Sequence, residues 1–178
     1  GTNDNKLIKE SAELVEVFLQ EAVKKQPDFV LITGDLTING EMVSHKELAD
    51  LFRKTEAAGV QVYVLPGNHD IMNPYAASFM GDKHELIDSV DPKDFADIYN
   101  NFGYLESMYR DPNSLSYAAE PVDGLWLLCI DSNSYFDNYN NGFPWPNGSI
   151  QTFLYQWLEE VLDSAGRQGK KVLAAIHH

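Results

Sequence analysis

Val60-Gln61-Val62-Tyr63-Val64-Leu65-Pro66-Gly67-Asn68-His69-Asp70 is the stretch that decides the fold. Val60 to Leu65 is a β-rich run, the composition of a short buried strand. Pro66-Gly67 ends it, because proline brings no N–H to a ladder and glycine turns without a Cβ to accommodate. Asn68, His69 and Asp70 are thereby presented together at the carboxyl end of the strand. Upstream, Phe29-Val30-Leu31-Ile32-Thr33 repeats the plan as a continuous apolar run, typical of a strand buried on both faces, and ends in Gly34-Asp35. Downstream, Lys171 to Ile176 is a third run of this kind and ends in His177-His178.

Helical patterns alternate with these runs. Leu7 to Lys25 reads as an amphipathic helix, with Leu7, Leu14, Val15, Phe18 and Ala22 at helical spacing and Pro27 as its stop. Ser44 with Glu47 forms a capping-box pattern ahead of a second helix carrying Leu48, Leu51, Phe52 and Ala58, with Gly59 as its C′ residue. Helix, strand, helix, strand with short connections predicts a layered α/β domain whose sheet has parallel neighbours.

Between Ile71 and Asp111 the pattern loosens, apart from Asp91-Pro92, which opens a helix to about Asn101. Ser114 to Ala119 and Leu125 to Ile130 flank Pro121-Val122-Asp123-Gly124 as a hairpin. Ser149 reads as the cap of a last amphipathic helix through Phe153, Leu154, Trp157, Leu158, Val161 and Leu162. Trp126 and Trp157 are expected in the core, His45 and His84 in solvent. Asp131 to Gly148 is rich in Asn, Tyr, Gly and Pro, and a loop of that length is usually functional or mobile. Its Tyr135, Phe136, Tyr139, Phe143 and Trp145 read equally as a substrate wall or as a loop packed by its own side chains. Asn147-Gly148-Ser149 matches a glycosylation sequon, which the capping role of Ser149 explains without a glycan.

The whole chain has 178 residues and 20.1 kDa, with 44% hydrophobic residues, which suits one domain and excludes wholesale disorder. Lys plus Arg number 13 and Asp plus Glu 27, giving −14. So acidic a surface repels nucleic-acid backbones and anionic membranes, so neither is an expected partner. Cys129 is the single cysteine, so no internal disulfide forms, and its apolar run predicts a buried, inert thiol. No stretch approaches the roughly 20 apolar residues of a membrane span. The compartment, cytoplasmic or exported, is not encoded in this composition.

The chemistry collects at the strand ends. Asn68 lies 68 − 35 = 33 residues after Asp35, and His177 lies 177 − 68 = 109 residues after Asn68. If the three strands are parallel neighbours, these groups meet beyond their carboxyl ends, where open α/β sheets keep functional side chains. A carboxylate, an amide oxygen and imidazoles form a mixed O/N set suited to Zn, Fe or Mn.

Gly34-Asp35, Gly67-Asn68-His69-Asp70 and His177 of the His-His pair resemble the calcineurin-like metallophosphoesterase superfamily. That pattern runs Asp-x-His, Gly-Asp, Gly-Asn-His-(Asp/Glu), a strand ending in His, and Gly-His-x-His. Leu127-Leu128-Cys129-Ile130-Asp131-Ser132 also resembles the strand that members carry between the second and third matches. The resemblance implies an α/β/β/α sandwich, here an incomplete single domain over residues 1–178 with an insertion at about 73–112. It implies two metal ions (Mn, Fe or Zn) in the complete protein, Asp35 bridging them and Asn68 and His177 binding the second. His69 would act on the phosphate as acid or charge stabiliser, Asp70 would orient the His69 ring, and His178 would not touch metal. A phosphoric ester, mono- or diester, would be cleaved by water activated between the ions.

The Asp-x-His and Gly-His-x-His elements have no counterpart in these residues. The expectation is therefore an internal piece of a catalytic domain, holding one ion or none and inactive by itself, with open sheet edges that invite association. The alternative is a non-catalytic phosphate- or partner-binding module on the same fold. A sugar hydrolase using paired carboxylates has only abundant acids and loop aromatics behind it.

Overall fold

A computed structural model of the chain describes residues 10–80 and 83–178. The amino-terminal half alternates α1 (Ser11–Lys25), β1 (Phe29–Thr33), α2 (Met42–Ala57) and β2 (Gln61–Leu65). β1 and β2 pair in parallel, Phe29 opposite Gln61 and Thr33 opposite Leu65, so both carboxyl ends finish at one rim. A hairpin of β3 (Ala77–Met80) and β4 (Lys83–Leu86) follows, then α3 (Pro92–Ile98) and a π turn over Asn100–Tyr104. The second half contains β5 (Tyr109–Arg110), β6 (Tyr117–Val122), β7 (Leu125–Ile130), the short α4 (Asn138–Asn141), α5 (Thr152–Arg167) and β8 (Lys171–Ile176).

The four later strands form a second sheet in the order β5-β6-β7-β8, antiparallel up to β7 and parallel from β7 to β8. The three motif-bearing strands are therefore not neighbours in one sheet. β8 pairs with β7, and the two sheets stack face to face. The Tyr117 hydroxyl crosses between them and donates to the Val64 carbonyl at 2.8 Å.

Side-chain alternation along β7 explains the stacking. Leu127 and Cys129 point to the first sheet and join the principal core with Val62, Val64, Phe52 and Tyr117. Trp126, Leu128 and Ile130 point the other way, onto Leu154, Trp157, Val161 and Ala165 of α5. The layers are thus α/β/β/α. Fully buried side chains such as Phe52, Leu65 and Leu127 each contribute roughly 1.5–3 kcal/mol of hydrophobic stabilisation. Cys129 is buried and burial pushes its thiol up to about 12, so it is unreactive in the native protein. No helix among the described residues is long and apolar enough to cross a membrane.

Several local expectations shift. The first helical pattern began at Leu7, and residues 7–9 lie outside the described residues. α2 starts at Met42 after Glu41, two residues before Ser44, so no capping box forms there. That register puts His45 on the same face as Ala49 and Phe52, and His45 is fully buried rather than solvated. His84 is exposed as expected. Asp91 does cap α3, accepting from the Asp94 N–H at 2.7 Å with Pro92 at the first helical position, but the helix ends at Ile98 rather than Asn101. The hairpin turn is Asp123-Gly124, with Pro121 and Val122 still inside β6. Ser149 does not cap α5, which starts after Gln151; its N–H donates instead to the Ser132 carbonyl at 2.7 Å. Within 73–112, Phe95, Tyr99, Phe102 and Tyr104 all enter the principal core, so much of that stretch is structural.

β8 stands at the end of its sheet, and Val172, Leu173 and Ile176 are each more than a third exposed. An edge of this kind offers unpaired backbone groups to a further strand.

Candidate metal and phosphate site

Gly34 and Gly67 bring the two strand-end loops together. Gly34 has φ +94°, and an added Cβ would lie 2.6 Å from His177 Nδ1 and 2.7 Å from Gly67 Cα. A Cβ on Gly67 would collide with the Asp35 main chain and carboxylate. Only glycine permits this approach. Asp35 itself is held at φ +51°, an uncommon conformation for a residue with a side chain.

His177 reaches this junction from the other sheet. Its Nδ1 lies 2.6 Å from the Thr33 carbonyl, and its Nε2 lies 3.3 Å from Asp35 Oδ1. Since a carbonyl only accepts, Nδ1 carries the hydrogen. Nε2 is buried and makes no hydrogen bond, the 3.3 Å approach to the carboxylate being too poorly directed to count as one. Nε2 thus faces the Asp35 carboxylate, whose side chain is 44% exposed. A carboxylate oxygen and an imidazole nitrogen placed this way are an O/N donor pair of the kind that suits a borderline transition ion. Among the described residues no three His, Cys, Asp or Glu side chains form a metal-sized cluster by themselves.

His178 lies beside His177, the two imidazole rings 4.2 Å apart. Its Nε2 is 2.9 Å from Asn68 Oδ1 and donates to it. Burial, then the neighbouring His177, lowers the His178 pKa, keeping its ring neutral. His69 is half-buried; its Nδ1 donates to the Ile38 carbonyl at 2.7 Å, which leaves Nε2 as its free nitrogen. The His69 N–H also points to Asp35 Oδ1 at 3.3 Å.

Asp70 does not orient His69. The Ile38 carbonyl does so, while the fully buried Asp70 carboxylate ties the two loops together. Its Oδ2 accepts from the N–H groups of Gly67 (2.8 Å) and Leu36 (3.1 Å). Its Oδ1 accepts from the Thr37 N–H (2.8 Å) and hydroxyl (3.1 Å). Burial pushes the Asp70 carboxyl up, against the opposing pull of His45 and these donors. Behind it, His45 Nε2 donates to the Asp70 carbonyl at 2.9 Å and His45 Nδ1 accepts from the Tyr99 hydroxyl at 2.9 Å. Burial lowers the His45 pKa, so this ring is neutral.

Three asparagines that the sequence reading passed over brace the same turn. Asn133 Nδ2 donates to the Pro66 carbonyl (2.8 Å), Asn73 Nδ2 to His69 (3.0 Å), and Asn138 Nδ2 to Ile71 (3.2 Å) and, at 3.5 Å, to Asn68. Nothing in the spacing of Asn133 and Asn138 marks them, because their partners are carbonyls far away in the chain, while Asn73 reaches back only four residues. His45 did carry a signal, since its place four residues before Ala49 and seven before Phe52 is a core position of an amphipathic helix.

Two stacked sheets between helices, with acid, amide and imidazole side chains meeting at one rim, define a metallohydrolase-like α/β sandwich. The family model for calcineurin-like phosphoesterases matches residues 8–178, and the chain belongs to that family. It is 45% identical over 157 residues to the "Probable glycerophosphodiester phosphodiesterase GpdQ" of Arcobacter nitrofigilis, covering 88% of this chain and 43% of that protein. Over 52 residues it is 38% identical to the "Probable cyclic nucleotide phosphodiesterase" of Vesicomyosocius okutanii, covering 29% of this chain and 21% of that protein. The chain thus spans less than half the length of these curated relatives. A crystal structure of a dimetal phosphatase from Danio rerio shares the fold, with TM-score 0.60 over 94% of this chain and 60% of that one at 13% identity.

Proposed function

We propose that the protein hydrolyses phosphoric esters with the help of two metal ions, Asp35 bridging them, Asn68 and His177 binding one, and His69 acting on the phosphate. The observation that carries this reading is His177. Its Nδ1 hydrogen is committed to the Thr33 carbonyl, and its buried Nε2, which makes no hydrogen bond, stands 3.3 Å from the Asp35 carboxylate.

Bound ions would supply Lewis-acid charge on the phosphate oxygens and acidify a bound water to a pKa near ~7. The chain's residues do the rest. Asp70 fixes the Asp35 loop against the Asn68 turn. His178, by donating to Asn68 Oδ1, keeps the amide oxygen facing the site, where its second lone pair is free for a ligand bond. His69 presents Nε2, which when protonated donates to a phosphoryl oxygen or passes its proton to the leaving alkoxide. With 13 basic against 27 acidic residues, the protein offers few side-chain cations for an anionic substrate, so positive charge comes with the ions. Both curated relatives are named as phosphodiesterases, which supports a diester as the substrate class.

The test is metal content and cleavage of bis(4-nitrophenyl) phosphate by the full-length protein, stripped and reloaded with manganese. Turnover that requires the ion is expected. His177→Ala should lower metal occupancy and reduce kcat by about 100-fold or more, as misplacing reacting groups does. Metal bound in stoichiometric amount with no turnover of mono- or diesters would reject the reading.

A further inference from the structure

The rings of the loop from Asp131 to Gly148 pair with one another, Tyr135 with Phe136 and Phe143 with Trp145, yet most of them stay open to solvent. Tyr135 is buried, its hydroxyl donating to Asp131 Oδ2 at 3.0 Å, but Phe136, Tyr139 and Phe143 are 63%, 50% and 38% exposed. Within it, residues 138–148 form a strap fastened at both ends to the rim just described. At the first end, the wholly buried Asn138 side chain donates to the Ile71 and Asn68 carbonyls and accepts from the Trp145 N–H at 2.8 Å. At the far end, Gly148 lies so close to His178 that an added Cβ would stand 2.7 Å from the His178 Cβ. Asn68 and His178 are hydrogen-bonded to each other, so both fastenings fall on one pair of site residues.

The strap's middle carries Phe143 and Trp145, stacked with centroids 5.6 Å apart and planes at 29°. Pro144 and Pro146 flank Trp145 and limit its backbone. Asn138 to Gly148 contains no charged residue in a chain whose net charge is −14. An uncharged aromatic surface beside an anion site complements a substrate with a charged phosphate and a flat, neutral organic group.

We infer that residues 138–148 form the wall that receives the organic group of the ester, with the Phe143–Trp145 stack as the contact surface and Asn138 as the residue that positions it. This rests on the phosphoester reading and sharpens it to esters bearing a flat uncharged ring, aryl or nucleobase. Asn138 touches no reacting atom. It sets the angle between the strap and the Asn68–His69 turn, because one side chain holds both.

The experiment titrates the manganese-loaded full-length protein with phenylphosphonate and with methylphosphonate by calorimetry, and follows Trp145 by fluorescence. These ligands share the anionic head and differ in the ring, so the gap between them reads the wall alone. Phenylphosphonate is expected to bind about tenfold tighter, the order that burying one ring face provides. Trp145→Ala, at a partly exposed position, should shrink the gap below twofold while leaving methylphosphonate affinity unchanged. Asn138→Ala should also shrink the gap between the two ligands, with Asn138→Gln partly restoring it. Equal affinities in the native protein, or a gap untouched by Trp145→Ala, would overturn the wall and leave the hydrolase reading standing. Failure of both phosphonates and of inorganic phosphate to bind would overturn the wall and the reading beneath it together.

Discussion

Replacing Asp70 with asparagine tests the device that assembles the site. The carboxylate accepts four hydrogen bonds, two per oxygen, and every contacting atom is a donor. Asp70→Asn keeps the shape but turns one oxygen into an NH2 group, which then faces either the N–H groups of Gly67 and Leu36 or those of Thr37. The amide settles with its NH2 towards Thr37, whose hydroxyl turns to accept from it, so the bond from the Thr37 N–H is the one lost outright. A hydrogen bond to a charged acceptor is worth about 1.5–3 kcal/mol, so the expected loss is at least about 1.5–3 kcal/mol. Against a total stability of roughly 5–15 kcal/mol, that is a large fraction. Urea unfolding followed by circular dichroism measures it, with a fall in Tm on the order of 10 °C as the thermal counterpart. Asp70→Ala should be at least as damaging. A loss below about 1 kcal/mol for Asp70→Asn would show that no ionised carboxylate pins the loops, and the account of how Asp35 meets Asn68 would fail with it.

Two further outcomes are expected. Gly67→Ala should fold but push the Asp35 loop away, cutting manganese affinity and lowering turnover by about 100-fold, as measured by calorimetry and steady-state kinetics; wild-type values would mean that the close approach is not required. Stability should also fall on acidification below pH 6.5. Burial holds the folded His45 pKa under that ordinary value, so the unfolded chain takes up a proton that the folded chain refuses. The slope is up to about 1.4 kcal/mol per pH unit, and it should flatten in His45→Gln in urea titrations between pH 7 and 5.

The strands and their terminal residues were legible because they depend on local rules. A continuous apolar run stopped by Gly-Asp, Pro-Gly or His-His needs no partner to be recognised. Strand neighbours were not legible to the same degree. Phe29–Thr33 and Lys171–Ile176 are both short, largely apolar runs, yet β1 pairs with β2 while β8 pairs with β7. What decides this is β7, whose alternating Trp126, Leu127, Leu128 and Cys129 serve two cores at once, and continuous hydrophobicity hides which face each residue serves. Helix starts were misread for a related reason. Ser44 and Ser149 are good caps in isolation, but packing sets the helix register, and Met42 and Thr152 begin the helices that bury His45 and Trp157.

The site shows the same division between local and distant rules. Asp35, His69 and His177 are one short step from strand ends, so correct strands were enough to bring them together even across two sheets. Asp70 was named for the wrong work because its place beside His69 suggested a partner one residue away. Its actual partners lie 33 and 34 residues upstream and at Gly67, and they make it a clamp between loops. The asparagines follow from this. A turn that exposes its amide oxygens and imidazole to a substrate has carbonyls to satisfy on its inner side, and each takes an N–H from a neutral side chain. Neutral donors suit that position, since a lysine or arginine there would pair with the nearby Asp35 carboxylate instead.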